Sequence, residues 1–427
     1  MARIVYFPLF SSSVDSKVFS LDEPNPGVGG TQFTTIRLAI LLSIACPTWN
    51  IHLVNNLPFK IKDKPNNLNQ LHFNTPDDFF NHLDEYFPGV VVSTPSVLCK
   101  TNFNILRKIE EKIICWSRHP FDPGADKVAR NLKVKGIVCV GIYQFFSNKF
   151  IHSDLFSIQN VFIYPEVAID DDKDISRKEK IDVVYLGALR PSKGFLDVAK
   201  SWCALKSKFP GIKLHVIGSA ETHALQSVSS PVPASSTEYA NQILEFIDAE
   251  DIVHGNVIFY GNLGREKFDI IKNCDFAILN PTGIGEAFPA SPLEVMSCGV
   301  PVITSNDYGM SDCMRFFPEL VINSYQEIVY KAIWLVEDPL RYREVQRRAV
   351  AVAKWFDLQT DGIVVNWIRL INSTIENTGI SLPPIMPFNG SRAKLYRRLY
   401  FGPVMNKIQR IPAKLFGKQA KIKNISS

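Results

Sequence analysis

Two glutamates eight residues apart, Glu286 and Glu294, have the side-chain type and the spacing to hold a ligand. Ser291, Pro292 and Glu294 are predicted to be the N-cap, N1 and N3 residues of a helix that Gly299 ends. The start of a helix presents unpaired N–H groups and the positive end of a dipole, which favour phosphate. Glu286 precedes that start, where its carboxylate can meet the group that the phosphate carries. The alternative is a plain capping box, in which Glu294 only satisfies its own helix.

A second candidate is Lys193, in the loop between a predicted strand at 182–186 and a predicted helix at 195–209. Its ammonium can act as a point charge on phosphate, and Arg190 in the same loop can offer a planar fork of donors. The alternative for Lys193 is a solvated loop lysine. Gly187 and Gly218 each end a predicted strand, where the lack of a side chain lets the backbone approach a ligand.

In the first half of the chain, Gly29 and Gly30 precede an apolar helix predicted over 31–44. The dinucleotide fingerprint Gly-x-Gly-x-x-Gly fails at Gln32, so this glycine turn is a weak signal by itself. His119 follows directly on a strand predicted over 113–116. It is either a ligand contact or a structural loop histidine.

The composition is that of a globular protein, with 46% hydrophobic and 21% charged residues in 427 positions. This length predicts two domains, each large enough to bury its own core. The eight cysteines form no Cys-x-x-Cys pair, so neither a zinc site nor a disulfide framework is expected, which fits a reducing cytoplasm. We expect neither a signal peptide nor a transmembrane helix, because proline at position 8 breaks the first apolar run and no later run is long enough.

Charge is distributed unevenly along the chain. Residues 391–427 carry ten Lys or Arg and no Asp or Glu, which leaves 37 basic and 42 acidic residues in 1–390. A basic tail on an acidic body predicts an anionic partner. Leu395, Tyr396, Leu399 and Tyr400 give the tail an apolar helical face, so we expect it on an anionic membrane surface and not on nucleic acid. The alternatives are a helix docked on the body and a disordered tail.

Strands and helices alternate in the predicted order, which indicates parallel sheets covered on both faces. The first half has predicted strands at 4–9, 51–54, 89–93, 113–116 and 136–141 and helices at 31–44 and 103–112. The second half has predicted strands at 182–186, 213–217, 257–260, 276–279 and 300–304 and helices at 195–209, 239–250, 266–273, 325–337, 342–356 and 362–375.

The expected fold class is therefore α/β, with two tandem Rossmann-like, doubly wound domains and a ligand cleft between them at the carboxyl ends of the strands. We expect a first domain at 1–165, a linker at 166–180 and a second domain at 181–350. Helices are expected at 351–375, and the basic amphipathic tail is placed at 376–427. Asp170 and Asp172 have the Asp-x-Asp spacing of some metal sites, but in a linker they are better explained as a solvated acidic run.

From 181 to 305 the motifs resemble those of retaining glycosyltransferases related to family 4, which are glycosyl transferases of group 1 with the GT-B fold and use nucleotide sugars. The Glu-x7-Glu spacing, Lys193-Gly194 and the strand-end glycines occur in the family's order. Pro281 leads toward Glu286 as the family's Pro-Ser loop does, with Thr282 in place of serine. Ala188 stands where the family usually has arginine, so one expected charge is absent.

The resemblance implies that 1–165 is the acceptor-side domain, that 181–350 binds the nucleotide sugar and that the helices at 351–375 cross back to the first domain. It also implies a role for each candidate. Glu286 and His119 would be the catalytic residues beside the transferred sugar, and Glu294 would hold the ribose hydroxyls. The remaining donor-binding residues would be Lys193, Arg190, Gly29, Gly30, Gly187, Gly218, Leu263, Phe288, Pro289, Ala290 and Ser291, with backbone N–H groups of the segment 288–291 on the diphosphate. No metal and no cofactor apart from the donor substrate are implied.

The implied reaction is transfer of a sugar, with retention, from a nucleoside diphosphate to the hydroxyl of a glycan or a lipid-linked acceptor. Such an enzyme would act in the assembly of a surface polysaccharide or glycolipid, in the cytoplasm or on the inner face of the membrane. The alternatives are a degenerate, non-catalytic protein that binds nucleotide sugar or membrane, and an epimerase or phosphorylase on the same architecture. Ala188 favours the degenerate protein, whereas Lys193 and Glu286 argue against it.

Overall fold

The computed structural model of the chain describes residues 3–83, 86–120, 122–149, 154–163, 165, 180–219, 231–380 and 382. All of these fall in one unit that spans residues 1–385. Most of the predicted linker, with Asp170 and Asp172, and the basic segment 391–427 lie outside the described residues.

The first half of the chain forms a parallel sheet with the strand order β5-β3-β1-β6-β7-β8-β9, and a short parallel pair, β2 and β4, lies apart from it. The bounds are β1 Ile4–Pro8, β2 Val18–Phe19, β3 Asn50–Asn55, β4 Lys60–Ile61, β5 Leu68–His72, β6 Val90–Ser93, β7 Ile113–Ser117, β8 Gly136–Cys139 and β9 Leu155–Ser157. Strands β6, β7 and β8 are buried along their whole length. Such continuous apolar runs are typical of parallel strands that are covered on both faces.

Helices cover both faces of this sheet. They are α1 Gly30–Ala45, α2 Pro76–His82, α3 Pro95–Leu98, α4 Phe103–Leu106, α5 Pro123–Asn131 and α6 Ile142–Asn148. One core contains the apolar side of α1, and a second contains the buried residues of α2, α3, α4 and α5.

The second half forms a parallel sheet with the order β12-β11-β10-β13-β14-β15. Its strands are β10 Asp182–Leu186, β11 Lys213–Ile217, β12 Val257–Gly261, β13 Phe276–Ile278, β14 Val302–Ser305 and β15 Val321–Ile322. Its helices are α7 Phe195–Lys208, α8 Thr237–Leu244, α9 Ala249–Val253, α10 Lys267–Ile271, α11 Ser291–Ser297, α12 Met310–Met314, α13 Glu327–Val336 and α14 Pro339–Leu358.

The order of strands reverses next to β10, which pairs with β11 on one side and with β13 on the other. In open parallel sheets, ligands bind outside the carboxyl ends of the strands at such a switch point. The loop after β10 carries Lys193, and the loop after β13 carries Glu286. The two candidates of the sequence analysis therefore lie at the same switch point.

The last described helix, α15 Thr360–Ile375, packs on the first sheet. Trp367 is fully buried and its ring lies 4.7 Å from that of Trp116 on β7. The guanidinium of Arg118 also lies over Trp116, 3.4 Å from the ring centroid, and it donates to Thr35 on α1. Arg118 is thus a structural residue that joins β7 to α1.

The predicted element types agree with the structure except in a few places with physical reasons. The single helix predicted over 103–112 is α4 followed by a 3-10 turn, with a break at Ile109, whose φ is −129°. The helix predicted over 239–250 is divided into α8 and α9. Several short elements were not predicted, because strands of two to five residues and helices of four to nine show too little periodicity. They are β2, β4, β5, β9, β15, α2, α3, α5, α6 and α12.

The two halves of this unit meet where α6 approaches α12. The carboxylate of Asp312 on α12 accepts the N–H groups of Ile142 at 2.7 Å and of Tyr143 at 3.2 Å, at the start of α6. The residue before them, Gly141, packs so tightly that an added Cβ would lie 2.3 Å from the carbonyl oxygen of Ala287. Only glycine fits there without moving the backbone.

We predict that Gly141→Ala forces α6 away from Ala287, because a Cβ cannot approach a carbonyl oxygen that closely. The free energy of unfolding, measured in urea, should fall by about 1–3 kcal/mol or more, as in other overpacked sites. Gly362→Ala is the matched control. Gly362 is exposed in α15 and an added Cβ meets nothing within 4 Å, so alanine should stabilise the helix by about 0.5–1 kcal/mol. A Gly141→Ala protein as stable as the wild type would contradict this packing.

Candidate active site

Lys193 and Glu286 form an ion pair at the switch point of the second sheet, although 93 positions separate them in the chain. The ammonium donates to Oε1 of Glu286, and the side chains are only 17% and 14% exposed. The same Oε1 accepts a bond from the amide of Asn280 at 3.3 Å. A cation and a carboxylate are therefore held side by side at the carboxyl edge of the sheet. A charged ligand could bind either of them in place of its partner.

The loop after β10 is built to hold Lys193 in place. Pro191–Lys193 is a 3-10 turn that ends at Gly194, whose φ is +68°, and the hydroxyl of Tyr185 donates to the carbonyl of Lys193 at 2.7 Å. An added Cβ at Gly194 would lie 3.0 Å from the Pro281 ring. Glycine at this position both permits the left-handed turn and lets the Lys193 loop contact the Glu286 loop.

The loop that carries Glu286 depends on Asn280, which the sequence analysis did not single out. Asn280 is 4% exposed with φ +30°, an uncommon conformation for which asparagine is one of the few tolerant residues. Its side chain bonds the carbonyl of Ile284, the hydroxyl of Thr282 and the carboxylate of Glu286. One side chain thus shapes the turn and orients the carboxylate.

The prediction that Ser291 is the N-cap of α11 is wrong, and the alternative of a plain capping box is wrong too. The N-cap of α11 is Ala290, no side chain caps the helix, and Ser291 is its first residue, which places Glu294 in the fourth position. The carboxylate of Glu294 instead accepts from the ammonium of Lys267 on α10 at 2.8 Å. The Glu294 carboxylate is therefore not used to satisfy its own helix.

The segment 288–291 leads into α11 beneath the Glu286 loop. Phe288 packs on Phe356 of α14 with ring centroids 5.7 Å apart, and Ala290 is exposed. Pro289 is buried and, as an imino acid, has no N–H to offer a diphosphate. Only Phe288, Ala290 and Ser291 of this segment have the backbone N–H groups that the predicted diphosphate contacts need.

The predicted strand-end glycines lie together at the carboxyl edge of the second sheet. Gly187 donates to the carbonyl of Ile217, and Gly218 donates to that of Gly261. An added Cβ at Gly218, where φ is +132°, would lie 2.1 Å from the carbonyl oxygen of Gly187. Backbone rather than side chains therefore forms this part of the edge, as the sequence analysis expected of a surface that a ligand approaches.

Across this edge lies the glycine turn of the first half. Gly29 is the N-cap of α1, and Gly30 is its exposed first residue, where an added Cβ meets nothing within 4 Å. A Cβ at Gly27 would lie 3.6 Å from the carbonyl oxygen of Leu263, in the loop after β12. The turn ahead of α1 and the predicted donor residue Leu263 thus face each other from opposite sheets.

Arg190 and His119 are not in contact with the ion pair. The side chain of Arg190 is exposed at the start of the 3-10 turn, and the structure shows no bond from it to Glu286. His119 is exposed after β7, and its carbonyl accepts from the buried amide of Gln144 on α6 at 2.7 Å. A catalytic role for His119 stays a prediction. Asp122, three residues further on, caps α5 through Gly124 and Ala125.

Asp312, which the sequence analysis missed, is the buried acid that joins this site to the first half of the chain. Burial raises the pKa of its carboxyl to about 7, although the N–H groups of Ile142 and Tyr143 and the charge of Arg315 lower it. Gly309, just before α12, donates to the carbonyl of Glu286 at 2.9 Å. The Glu286 loop is therefore enclosed between α12 and the start of α6.

The described residues contain no cluster of three His, Cys, Asp or Glu side chains that could hold a metal ion. Each of the eight cysteines is a free thiol. Within the same described part of the chain, no helix is both long enough and apolar enough to span a membrane.

The second half of the chain resembles a known family. A sequence model of the family described as glycosyl transferases group 1 matches residues 168–352, which include Lys193, Glu286 and Glu294. This stretch is therefore similar to glycosyl transferases of group 1. No curated protein sequence matches the chain. The group 1 match agrees with the resemblance drawn from the motifs, although it does not distinguish family 4 within the group.

Solved structures with the same fold cover most of this chain. A Staphylococcus aureus TarM mutant, in complex with fondaparinux, α-GlcNAc-glycerol and UDP, is 15% identical with a TM-score of 0.52 and covers 67% of this chain, which spans 55% of the TarM length. A Rickettsia africae glycosyltransferase is 10% identical with a TM-score of 0.58, over 88% of this chain and 100% of its own. Anabaena HepE in complex with UDP-glucose is 14% identical with a TM-score of 0.58, over 88% and 99%. The expected fold class, two tandem Rossmann-like domains of the GT-B type, is confirmed.

We predict that Asp312 makes stability depend on pH. Its pKa is higher in the folded chain than its ordinary value of 3.8, so the stability it adds is complete below that value and is lost as the pH rises through about 7. Between about pH 4 and about pH 8, the free energy of unfolding of the wild type relative to Asp312→Asn should fall by on the order of a few kcal/mol. Chemical denaturation at a series of pH values measures this. Exposed Asp361, replaced by Asn, is the control, and parallel pH curves for the wild type and Asp312→Asn would contradict the prediction.

Proposed function

We propose that this chain is a retaining, metal-independent glycosyltransferase that moves a sugar from a nucleoside diphosphate sugar to an acceptor hydroxyl. The observation that carries the proposal is the Lys193–Glu286 ion pair at the switch point of a group 1 domain. Asn280 orients the carboxylate of this pair, and the glycine turn before α1 faces the same edge from the other sheet. A charged ligand that spans the two sheets would contact both the Lys193–Glu286 pair and the glycine turn.

The geometry suits a diphosphate leaving group. When the bond between the sugar carbon and the phosphate oxygen breaks, negative charge develops on the diphosphate, and a preorganised cation stabilises it. The ammonium of Lys193 would bind the phosphate in place of Glu286, or would bind both at once. The Glu286 carboxylate could then contact the sugar. The acceptor oxygen forms the new bond on the same face, and its proton goes to the leaving phosphate oxygen. Retention follows from attack on that face.

UDP-sugars are the first donors to test, because the HepE and TarM structures contain UDP-glucose and UDP. We propose a glycan or lipid-linked acceptor, in keeping with assembly of a surface polysaccharide or glycolipid. An epimerase would convert or hydrolyse the donor without an acceptor, a phosphorylase would need a lysine that binds pyridoxal phosphate, and a degenerate protein would bind the donor without turnover. A panel of UDP-, GDP- and ADP-sugars, with and without acceptor, separates these outcomes.

Ala188 is the feature that favours the degenerate alternative. Its backbone carbonyl accepts the N–H of Arg190 at 3.0 Å and lies 3.4 Å from the hydroxyl of Tyr185, so it belongs to the turn that holds Lys193. The family's arginine at this place would supply a second cation. We propose that Lys193 provides the main positive charge for the phosphate here. The exposed Arg190, two residues after Ala188, could add a second charge.

We predict that Lys193→Ala lowers kcat by about 10²–10³, because the developing charge on the diphosphate loses its cation. Glu286→Ala should lower kcat to a similar extent, since it removes the sugar contact and the group that orients Lys193. Initial rates of sugar transfer and circular dichroism measure activity and folding together. Lys272→Ala and Asp269→Ala are matched controls, because that lysine–carboxylate pair is exposed on α10. Near wild-type rates in both site variants would refute the assignment.

The basic segment 391–427 is proposed to hold the enzyme on the cytoplasmic face of an anionic membrane. Each Lys or Arg near such a surface contributes about 1 kcal/mol at low salt, and ten are present. We expect the full chain to float with vesicles that contain anionic phospholipid, and a chain that ends at residue 390 to stay at the bottom of the gradient. Equal flotation of both chains would reject a role for the tail, and vesicles of neutral lipid are the control.

A further inference from the structure

Lys267 carries a charge in an unusually closed place. It is the first residue of α10, it is 5% exposed, and its ammonium lies 2.8 Å from Oε1 of Glu294. The ion pair joins two strand-loop-helix units, because α10 follows β12 whereas Glu294 lies on α11, after β13. The pair therefore links the start of α10 to the first turn of α11.

This arrangement is costly for an ion pair that only adds stability. A buried ammonium loses its hydration, and a single well-placed carboxylate repays that loss only in part. The first turn of a helix is also the end at which the dipole disfavours a cation. Five residues later, at the C-cap of the same helix, Lys272 pairs with Asp269 at the surface, where the two side chains are 39% and 77% exposed. The buried position of Lys267 therefore serves Glu294 rather than α10.

We propose that Lys267 is a positioning residue that holds Glu294 in the orientation in which its carboxylate binds the ribose of the donor. This inference rests on the proposed function. The ammonium bonds Oε1, which leaves Oε2 for a ribose hydroxyl, and the Glu294 side chain is already 14% exposed and fixed before the donor binds. A side chain that is fixed in advance loses little freedom on binding, so the contact contributes more of its free energy to affinity. Lys267 thereby sets a preference for ribonucleotides over deoxyribonucleotides.

The test measures binding of nucleoside diphosphates to the full chain by calorimetry. UDP, GDP and ADP are compared first, and the tightest of them is then compared with its 2′-deoxy and 3′-deoxy counterparts. A hydrogen bond from a sugar hydroxyl to a charged carboxylate favours the ribonucleotide by about tenfold or more. In Lys267→Met we expect this ratio of dissociation constants to fall to within about twofold of unity. Glu294→Gln should show the same collapse, and the double variant no further loss, because the two residues act as one unit.

Control variants distinguish a loss of nucleotide specificity from a loss of folding. Lys272→Met removes the exposed lysine of the same helix and should keep the wild-type ratio. Lys267→Gln retains a hydrogen-bond donor without the charge, so it tests the same contact if the methionine variant does not fold, and its ratio should also fall. A wild-type ratio in a folded Lys267 variant overturns the inference and leaves the proposed function standing. Failure of the wild type to bind any of the three nucleotides overturns both.

Discussion

The ion pair between Lys193 and Glu286 is the interaction on which the candidate site depends. It joins the loop after β10 to the loop after β13, and these two loops flank the point at which the strand order reverses. The second pair, Lys267 with Glu294, repeats the pattern between α10 and α11. Glu286 and Glu294 are thus each paired with a lysine from a different strand-loop-helix segment. Without ligand the four charges balance. Under the proposed function, a diphosphate that binds here draws the Lys193 ammonium away from the Glu286 carboxylate.

The first half of the chain takes part through α6. The start of this helix binds Asp312, its preceding residue Gly141 abuts Ala287, and its Gln144 holds the carbonyl of His119. Helix α6 therefore contacts both the loop that carries Glu286 and the loop that carries the predicted catalytic histidine. A movement of one half against the other would shift these loops together, which couples the geometry of the cleft to the position of the carboxylate.

The fold could be predicted from the sequence, and so could the candidate residues at the switch point, because their signals are local. Strand-end glycines, Lys193-Gly194 and the spacing of Glu286 and Glu294 all lie within short stretches that alternate in the expected order. The rest could not be predicted, because partners such as Lys267 and Glu294 stand 27 positions apart and Asp312 stands 170 from Ile142. The local rule for a capping box also failed at Ser291, because Ala290 is the N-cap and the carboxylate of Glu294 pairs with the buried ammonium of Lys267. Propensity and spacing do not report such tertiary contacts.

The most direct test is a crystal structure of the chain with a nucleoside diphosphate sugar, beginning with UDP-glucose. The diphosphate is predicted to lie within hydrogen-bond distance of the Lys193 ammonium, with the Glu286 carboxylate against the sugar and Glu294 against the ribose. A nucleotide bound elsewhere, or a Lys193–Glu286 pair left intact and out of contact with the ligand, would contradict the account.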